Sequence, residues 1–262
     1  MSNDTAIDRN LSHLANKVPE VTIWFWIIKV LCTTVCETVA DYLNVTLGFG
    51  LTGTTVVMVS ALIFALITQF RSKKYVPGIY WLNVVLISVV GTLVTDNLTD
   101  RFNVSLKLST GVFFVLLGLS FILWHRSEGT MSIHSIRTAR REGFYWSAIL
   151  LTFALGTAAG DLVSEQFALG YWKAAILFAG AIAFVTATYF TLHINAIMSF
   201  WAAYVLTRPL GGSVGDYLSQ SKSDGGLGLG TTATSLIFLV VIAAVVGYLT
   251  SSRIDVIADS AP

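Results

Sequence analysis

Charge is scarce in this chain: Asp, Glu, Lys and Arg make up 12% of its 262 residues, against 55% hydrophobic residues and a mean hydropathy of +0.73. Soluble domains carry about twice that share of charge, so the composition excludes one and describes a membrane protein. Cysteine is nearly missing, and two residues, Cys32 and Cys36, imply no disulfide framework. Long hydrophilic stretches are missing too. The longest are the first 20 residues, the segment from His125 to Gly143 and a tail of about a dozen residues, none of which holds a domain of ordinary size. An excess of one charge sign is also lacking: the formal net charge is +1, which argues against a nucleic-acid partner.

What the chain has is apolar runs of about 20 residues, the length that spans the hydrocarbon of a bilayer as a helix. They lie near 22–43, 51–70, 79–99, 106–124, 144–164, 168–192, 196–218 and 229–251. The expected fold is all-α, a polytopic bundle of eight transmembrane helices in one membrane domain over 22–251, with tails at 1–21 and 252–262. The first residues show no short apolar core with a small-residue cleavage site, so the first span is expected to remain as an anchor. Arg9, Lys17, Arg71, Lys73, Lys74, Arg126, Arg137, Arg140, Arg141 and Arg253 fall in the tails and even-to-odd loops. Only Arg101, Lys107, Lys173 and Lys222 fall in the opposite loops, which predicts cytoplasmic termini. The basic clusters RSKK and RTARR are read as topology signals alone.

The spans contain a repeat. Each odd span opens on an aromatic pair ending in Trp, and an Asp follows fifteen residues later: Trp26 and Asp41, Trp81 and Asp96, Trp146 and Asp161, Trp201 and Asp216. The chain therefore reads as four copies of one helical hairpin, over about 22–75, 76–140, 141–195 and 196–251. A unit of two crossings enters the membrane the same way each time, so the repeats are parallel and the four Asp share one depth. Fifteen residues of helix place each Asp about 22 Å from its Trp. With Trp in the cytoplasmic aromatic belt, the carboxylates lie toward the outer end of each odd helix. Five and one positions before the Asp stand Cys36 and Ala40, Gly91 and Thr95, Gly156 and Gly160, Gly211 and Gly215. Small residues at that spacing let membrane helices approach closely, so the odd helices are expected to cross near the Asp level.

Four tandem two-span units, each with its Trp, and a first span reading ETVADYLNVTLGFGLTGTT resemble a family of bacterial membrane-anchored proteins catalogued as a repeat of unknown function. The likeness runs from about Thr22 to Arg253, with one departure at Cys36, where the other copies have Gly. It implies eight spans in a bacterial inner membrane and brings no activity with it.

Ionisable residues in a span are costly and mark a function or a partner. Four positions before the Asp, on the same helical face, stand Glu37, Thr92, Thr157 and Gly212. Only the first copy adds a carboxylate, and Glu37 with Asp41 suits either a bound cation or proton exchange. Oxygen ligands favour a hard ion such as magnesium, calcium or manganese, which makes Glu37 and Asp41 the candidate metal pair. Asp96, Asp161, Asp216, Thr92 and Thr157 complete the expected ion-binding set. Only the fourth copy has Arg208 and Pro209, where proline is expected to kink or break the span. Arg208 is expected to pair with Glu37 as its counter-ion.

Lys29 is expected to snorkel to the cytoplasmic surface. The Gly-containing LGFG at Leu47 and LGLG at Leu227 read as turns. The functional expectation is a small secondary transporter of an inorganic cation, with the lipid bilayer and the ion as its partners and no cofactor beyond a bound metal. A channel with an Asp ring and a non-transporting regulatory or structural protein stay open as alternatives, as does a homo-oligomer. The loops offer no nucleophile or metal cluster in water, so enzyme activity is not expected.

Overall fold

The computed structural model describes residues 16–256, and over them the chain is helical, with no strand among the described residues. Eight long helices follow in order: α1 Ile23–Asp41, α2 Gly50–Arg71, α3 Pro77–Asp96, α4 Leu106–Glu128, α5 Ala139–Asp161, α6 Tyr171–Leu192, α7 Ala196–Ser219 and α8 Thr231–Ser252. Their starts follow local capping chemistry. Thr22, Ser105, Thr138 and Asn195 accept hydrogen bonds from the first-turn amides of α1, α4, α5 and α7, and Pro77 occupies the first turn of α3. Seven of the eight are long and apolar enough to cross a membrane. The other, α7, has 24 residues but carries Arg208, Asp216 and the glycines at 211, 212 and 215. Protein on several sides takes the place of lipid around it, since α1, α5 and α6 all pack against α7.

The helices form two layers. The odd helices make an inner ring in which α1 meets α3, α3 meets α5, α5 meets α7, and α7 returns to α1. The even helices form the outer layer and expose Phe64, Phe114, Phe184, Phe190 and Ile237, the faces that lipid would cover. Each even helix lies mainly on the odd helix of the next repeat: α2 on α3, α4 on α5, α6 on α7, and α8 back on α1. The repeat is thus not the self-packed hairpin that the sequence suggests. Each unit lends its outer helix to its neighbour, and the last one closes the circle, where Ser235 of α8 donates to Thr38 of α1 at 2.8 Å.

The crossings repeat around the ring. A Cβ on Gly91 of α3 would meet Phe153 of α5, one on Gly156 would meet Arg208 of α7, and one on Gly211 would meet Thr33 of α1. In every case the small residue five before one Asp faces the residue eight before the next. Side-chain hydroxyls bridge the same seams, with Thr95 Oγ1 donating to the Ala154 carbonyl at 3.0 Å and Thr33 Oγ1 to that of Thr207 at 3.1 Å.

The Trp residues are not a lipid-facing belt. Trp81, Trp146 and Trp201 are buried, and Trp26 is half-buried. The aromatic pairs interlock around the axis: Phe25 with Trp81, Tyr80 with Trp146, Tyr145 with Trp201, and Phe200 with Trp26, at ring separations of 5.6, 5.6, 6.2 and 5.6 Å. Rings of this size packed in such a circle fill the centre of one end of the bundle. Beyond them, residues 16–20 bind the loops together. Lys17, which the sequence marks only as a topology signal, forms a buried ion pair with Glu142 at 2.7 Å, and Gln69 Nε2 donates to the other Glu142 oxygen at 3.0 Å. Tyr75 donates to Asp255 at 2.5 Å, and burial raises the pKa of both groups.

At the opposite end the Asp marks a change of helix. Asp41, Asp96 and Asp161 close α1, α3 and α5, and in each case five residues of π-helix follow. The widened turn is a frequent feature of functional sites. In these three copies the tight loop to the next helix then takes a positive φ at its second residue, Gly48 (70°), Asn103 (53°) and Ala168 (52°), while the longer fourth loop takes it at Gly225 (88°), Gly228 (78°) and Gly230 (80°). The turns expected at Leu47 to Gly50 and Leu227 to Gly230 are present, and the other two copies achieve the same bend without glycine at that point.

Candidate functional site

The inner helices place homologous residues in layers along the bundle axis, four residues apart. Nearest the aromatic ring lie Lys29, Val84, Ile149 and Tyr204, then Thr33, Ser88, Phe153 and Arg208. Next come Glu37, Thr92, Thr157 and Gly212, and last the four Asp. The first two layers are almost fully buried.

Arg208 organises the centre. It is 1% exposed, and its Nη2 lies 2.6 Å from Glu37 Oε2, 2.5 Å from Thr92 Oγ1 and 2.8 Å from Thr157 Oγ1. Those three oxygens come from the homologous position in copies one, two and three. The fourth member of that layer is Gly212, where a Cβ would stand 2.7 Å from Arg208 Nη1. Copy four therefore gives up its side chain so that its own arginine, one turn away, can reach across and tie the other three helices together. Nη1 also faces the Thr33 carbonyl at 3.4 Å, while Nε–H is buried without an acceptor. Glu37 is 15% exposed, so the ion pair sits at the boundary between the packed half of the axis and the carboxylate end.

Pro209 does not break α7, which runs unbroken from Ala196 to Ser219. The close approach of Gly156 and Gly160 to Arg208 and Pro209 holds the segment against α5. The pairing expected between Arg208 and Glu37 is formed. Among the described residues no three His, Cys, Asp or Glu come together to hold a metal ion. Within the expected pair, Glu37 is engaged by Arg208, and Asp41 faces Gln220 Nε2 at 3.5 Å. Asp96, Asp161 and Asp216 accept no hydrogen bond among the described residues, and Asp216 is only 9% exposed. A cavity of about 10 Å³, room for roughly one water, lies between α5 and α7 beside Glu37, lined by Thr157, Asp161, Arg208, Ser213 and Asp216 among others.

Lys29 does not snorkel. Its side chain is fully buried, with Nζ 3.9 Å from the centre of the Phe153 ring and 4.1 Å from that of Tyr204 and no hydrogen-bond acceptor. Two aromatic faces offset part of the cost of removing an ammonium from water, about 2 kcal/mol when desolvated, but a lone buried charge remains expensive. Lys29→Met, which keeps length and removes the charge, is expected to leave stability in detergent unchanged or to raise it, by up to about 4 kcal/mol. A loss of more than about 2 kcal/mol in thermal unfolding would mean that the ammonium has a stabilising partner.

Sequence reasoning missed Ser213 and Gln220 at the carboxylate end. Ser213 is three residues before Asp216, beside the Gly212 that departs from the Glu or Thr of the other copies; that gap was the signal.

A family model described as Repeat of Unknown Function (DUF347) matches the chain four times, at residues 24–75, 79–130, 144–194 and 199–255. No curated protein and no solved structure matches the chain.

Proposed function

Because the chain belongs to the Repeat of Unknown Function (DUF347) family, whose name carries no activity, we propose from geometry alone that the protein is a secondary carrier for an inorganic cation. The observation that carries the reading is the axis itself. Along it stand five acidic side chains, Glu37, Asp41, Asp96, Asp161 and Asp216, against two basic ones, Lys29 and Arg208. Neighbouring carboxylates repel unless a cation or a proton lies among them, and three of the four Asp accept no hydrogen bond from protein among the described residues.

The axis is closed beneath them by Arg208, Lys29 and the aromatic ring. A site reachable from one end and sealed at the other is one of the two states that an alternating-access carrier needs. Arg208 serves as a resident counter-ion: an arriving cation competes with it for Glu37, and the exchange loosens a side chain that ties four helices together. Oxygen ligands favour a hard divalent ion, manganese among them, and proton exchange at the carboxylates supplies a coupling ion. This reading takes the protein to lie in a bacterial inner membrane with both termini on the cytoplasmic side, which the excess of Lys and Arg in the tails and even-to-odd loops supports, and it involves no enzymatic chemistry.

A cation channel is the competing reading, favoured by the near-fourfold ring of Asp. Flux of Mn²⁺, Mg²⁺ and Ca²⁺ into liposomes containing the purified protein separates the two. The carrier reading expects saturable flux, and proton counter-movement if the exchange is coupled. Conductance that does not saturate would replace it with the channel, and no flux of any ion would remove both.

A further inference from the structure

The sequence points to Glu37 and Asp41 as the ion-binding pair, but of the two only Glu37 borders the open space. The cavity beside Arg208 is walled by α5 and α7, where Gly156, Gly160 and Gly212 contribute no side chains. Asp161 and Asp216 line it, and so does Ser213, which is 3% exposed with an Oγ that has no hydrogen-bond partner. Thr54, Ser109, Thr110, Tyr204 and Ser219 also bury an unpaired hydroxyl, but of these six only Ser213 borders the cavity, where a ligand could satisfy it. Ser213 stands beside Asp216, itself nine-tenths buried and without a hydrogen bond.

We propose that a single dehydrated divalent cation binds in this cavity, between Asp161 and Asp216, with the Ser213 hydroxyl as a third oxygen. The proposal rests on the carrier reading and gives it a location. Two carboxylates balance a double charge, and with Ser213 and Thr157 the available donors are oxygens, which suits magnesium, calcium or manganese rather than a soft metal. The space admits about one water-sized occupant, so the ion arrives largely stripped. Arg208 lines the same cavity. An ion there repels the guanidinium and competes with it for Glu37, which links occupancy to the contact that closes the axis.

The test is Mn²⁺ binding to the purified full-length protein, followed by the loss of the free-ion paramagnetic resonance signal and by the thermal shift. Asp216→Asn removes the negative charge and one carboxylate oxygen, and Ser213→Ala removes the hydroxyl, each at nearly constant size. The first is expected to weaken Mn²⁺ by roughly 100-fold and the second by about 10-fold, and Asp216→Asn is expected to weaken it more than Asp41→Asn does. Ser213→Ala keeps the proposal testable should Asp216→Asn fail to fold. If Asp41→Asn abolishes binding and Asp216→Asn does not, or if the two weaken it equally, this location is wrong and the carrier reading survives. If Na⁺ protects the wild type and Mn²⁺ does not, the divalent class is wrong. If no cation binds the wild type at all, the carrier reading falls with it.

Discussion

Arg208→Gln is expected to destabilise the protein by about 3 to 5 kcal/mol, the cost of leaving one partner of a buried ion pair alone. The effect should exceed that of an ordinary pair because one nitrogen reaches oxygens on three helices. Glutamine is too short to span from α7 to Glu37, so Thr92 and Thr157 lose their shared donor together with the carboxylate. Glu37→Gln alone leaves the opposite charge unmatched and should also destabilise. The double variant removes both charges and should recover much of the loss. Thermal unfolding in detergent checks this, with a double-mutant cycle to extract the coupling. A double variant no more stable than Arg208→Gln would show that the 2.6 Å contact contributes little.

The second large effect is expected at the helix crossings, with a sign that depends on the layer. Gly211→Ala would place a Cβ 2.6 Å from Thr33 Cβ and 2.9 Å from its carbonyl carbon, which belongs to backbone and cannot swing away. Gly91→Ala and Gly156→Ala meet the facing helix just as closely. Overpacking of this kind costs about 1 to 3 kcal/mol or more, well above the helix-propensity gain of about 1 kcal/mol for Ala over Gly. On the outer layer nothing opposes that gain. Gly118, Gly180 and Gly247 have open space where a Cβ would go, and Ala there should stabilise by about 0.5 to 1 kcal/mol. Melting temperatures of inner and outer variants should therefore move in opposite directions. A uniform response would contradict the inner ring.

The inner ring was legible in the sequence because its signals are spacings. Fifteen residues from Trp to Asp, small residues five and one before the Asp, and a lone arginine in copy four are all properties of one helix at a time. The pairing of Arg208 with Glu37 followed from depth alone. What depends on which neighbour a helix meets was not legible. Nothing in a two-span unit tells whether its second helix packs at home or on the next repeat, so the exchange of outer helices was missed. The Trp residues were assigned to a lipid interface because tryptophan is common there. Yet the aromatic residue before each one, Phe25, Tyr80, Tyr145 and Phe200, already hinted at a ring of interlocking pairs.

Lys29 shows how one rule can displace another. It lies twelve residues before Asp41, in step with Glu37 and Asp41 on the face that lines the axis. Its closeness to the helix start suggested snorkelling instead. The aromatic ring between Lys29 and that end is a tertiary feature and blocks the route. The cavity between α5 and α7 was hidden for a related reason, since it comes from side chains that Gly156, Gly160 and Gly212 lack on two different helices.

The central claim is that the Arg208 and Glu37 contact is exchanged during transport and is more than a fixed tie between helices. The measurement that reaches it most directly is Mn²⁺ flux in liposomes carrying the Arg208→Gln, Glu37→Gln double variant, at matched protein incorporation and after its recovered folding has been verified. The account predicts a folded protein with no saturable flux above empty liposomes, because neither the counter-ion nor the carboxylate it guards remains. Flux at the wild-type rate from that folded double variant would contradict it and reduce the pair to scaffolding.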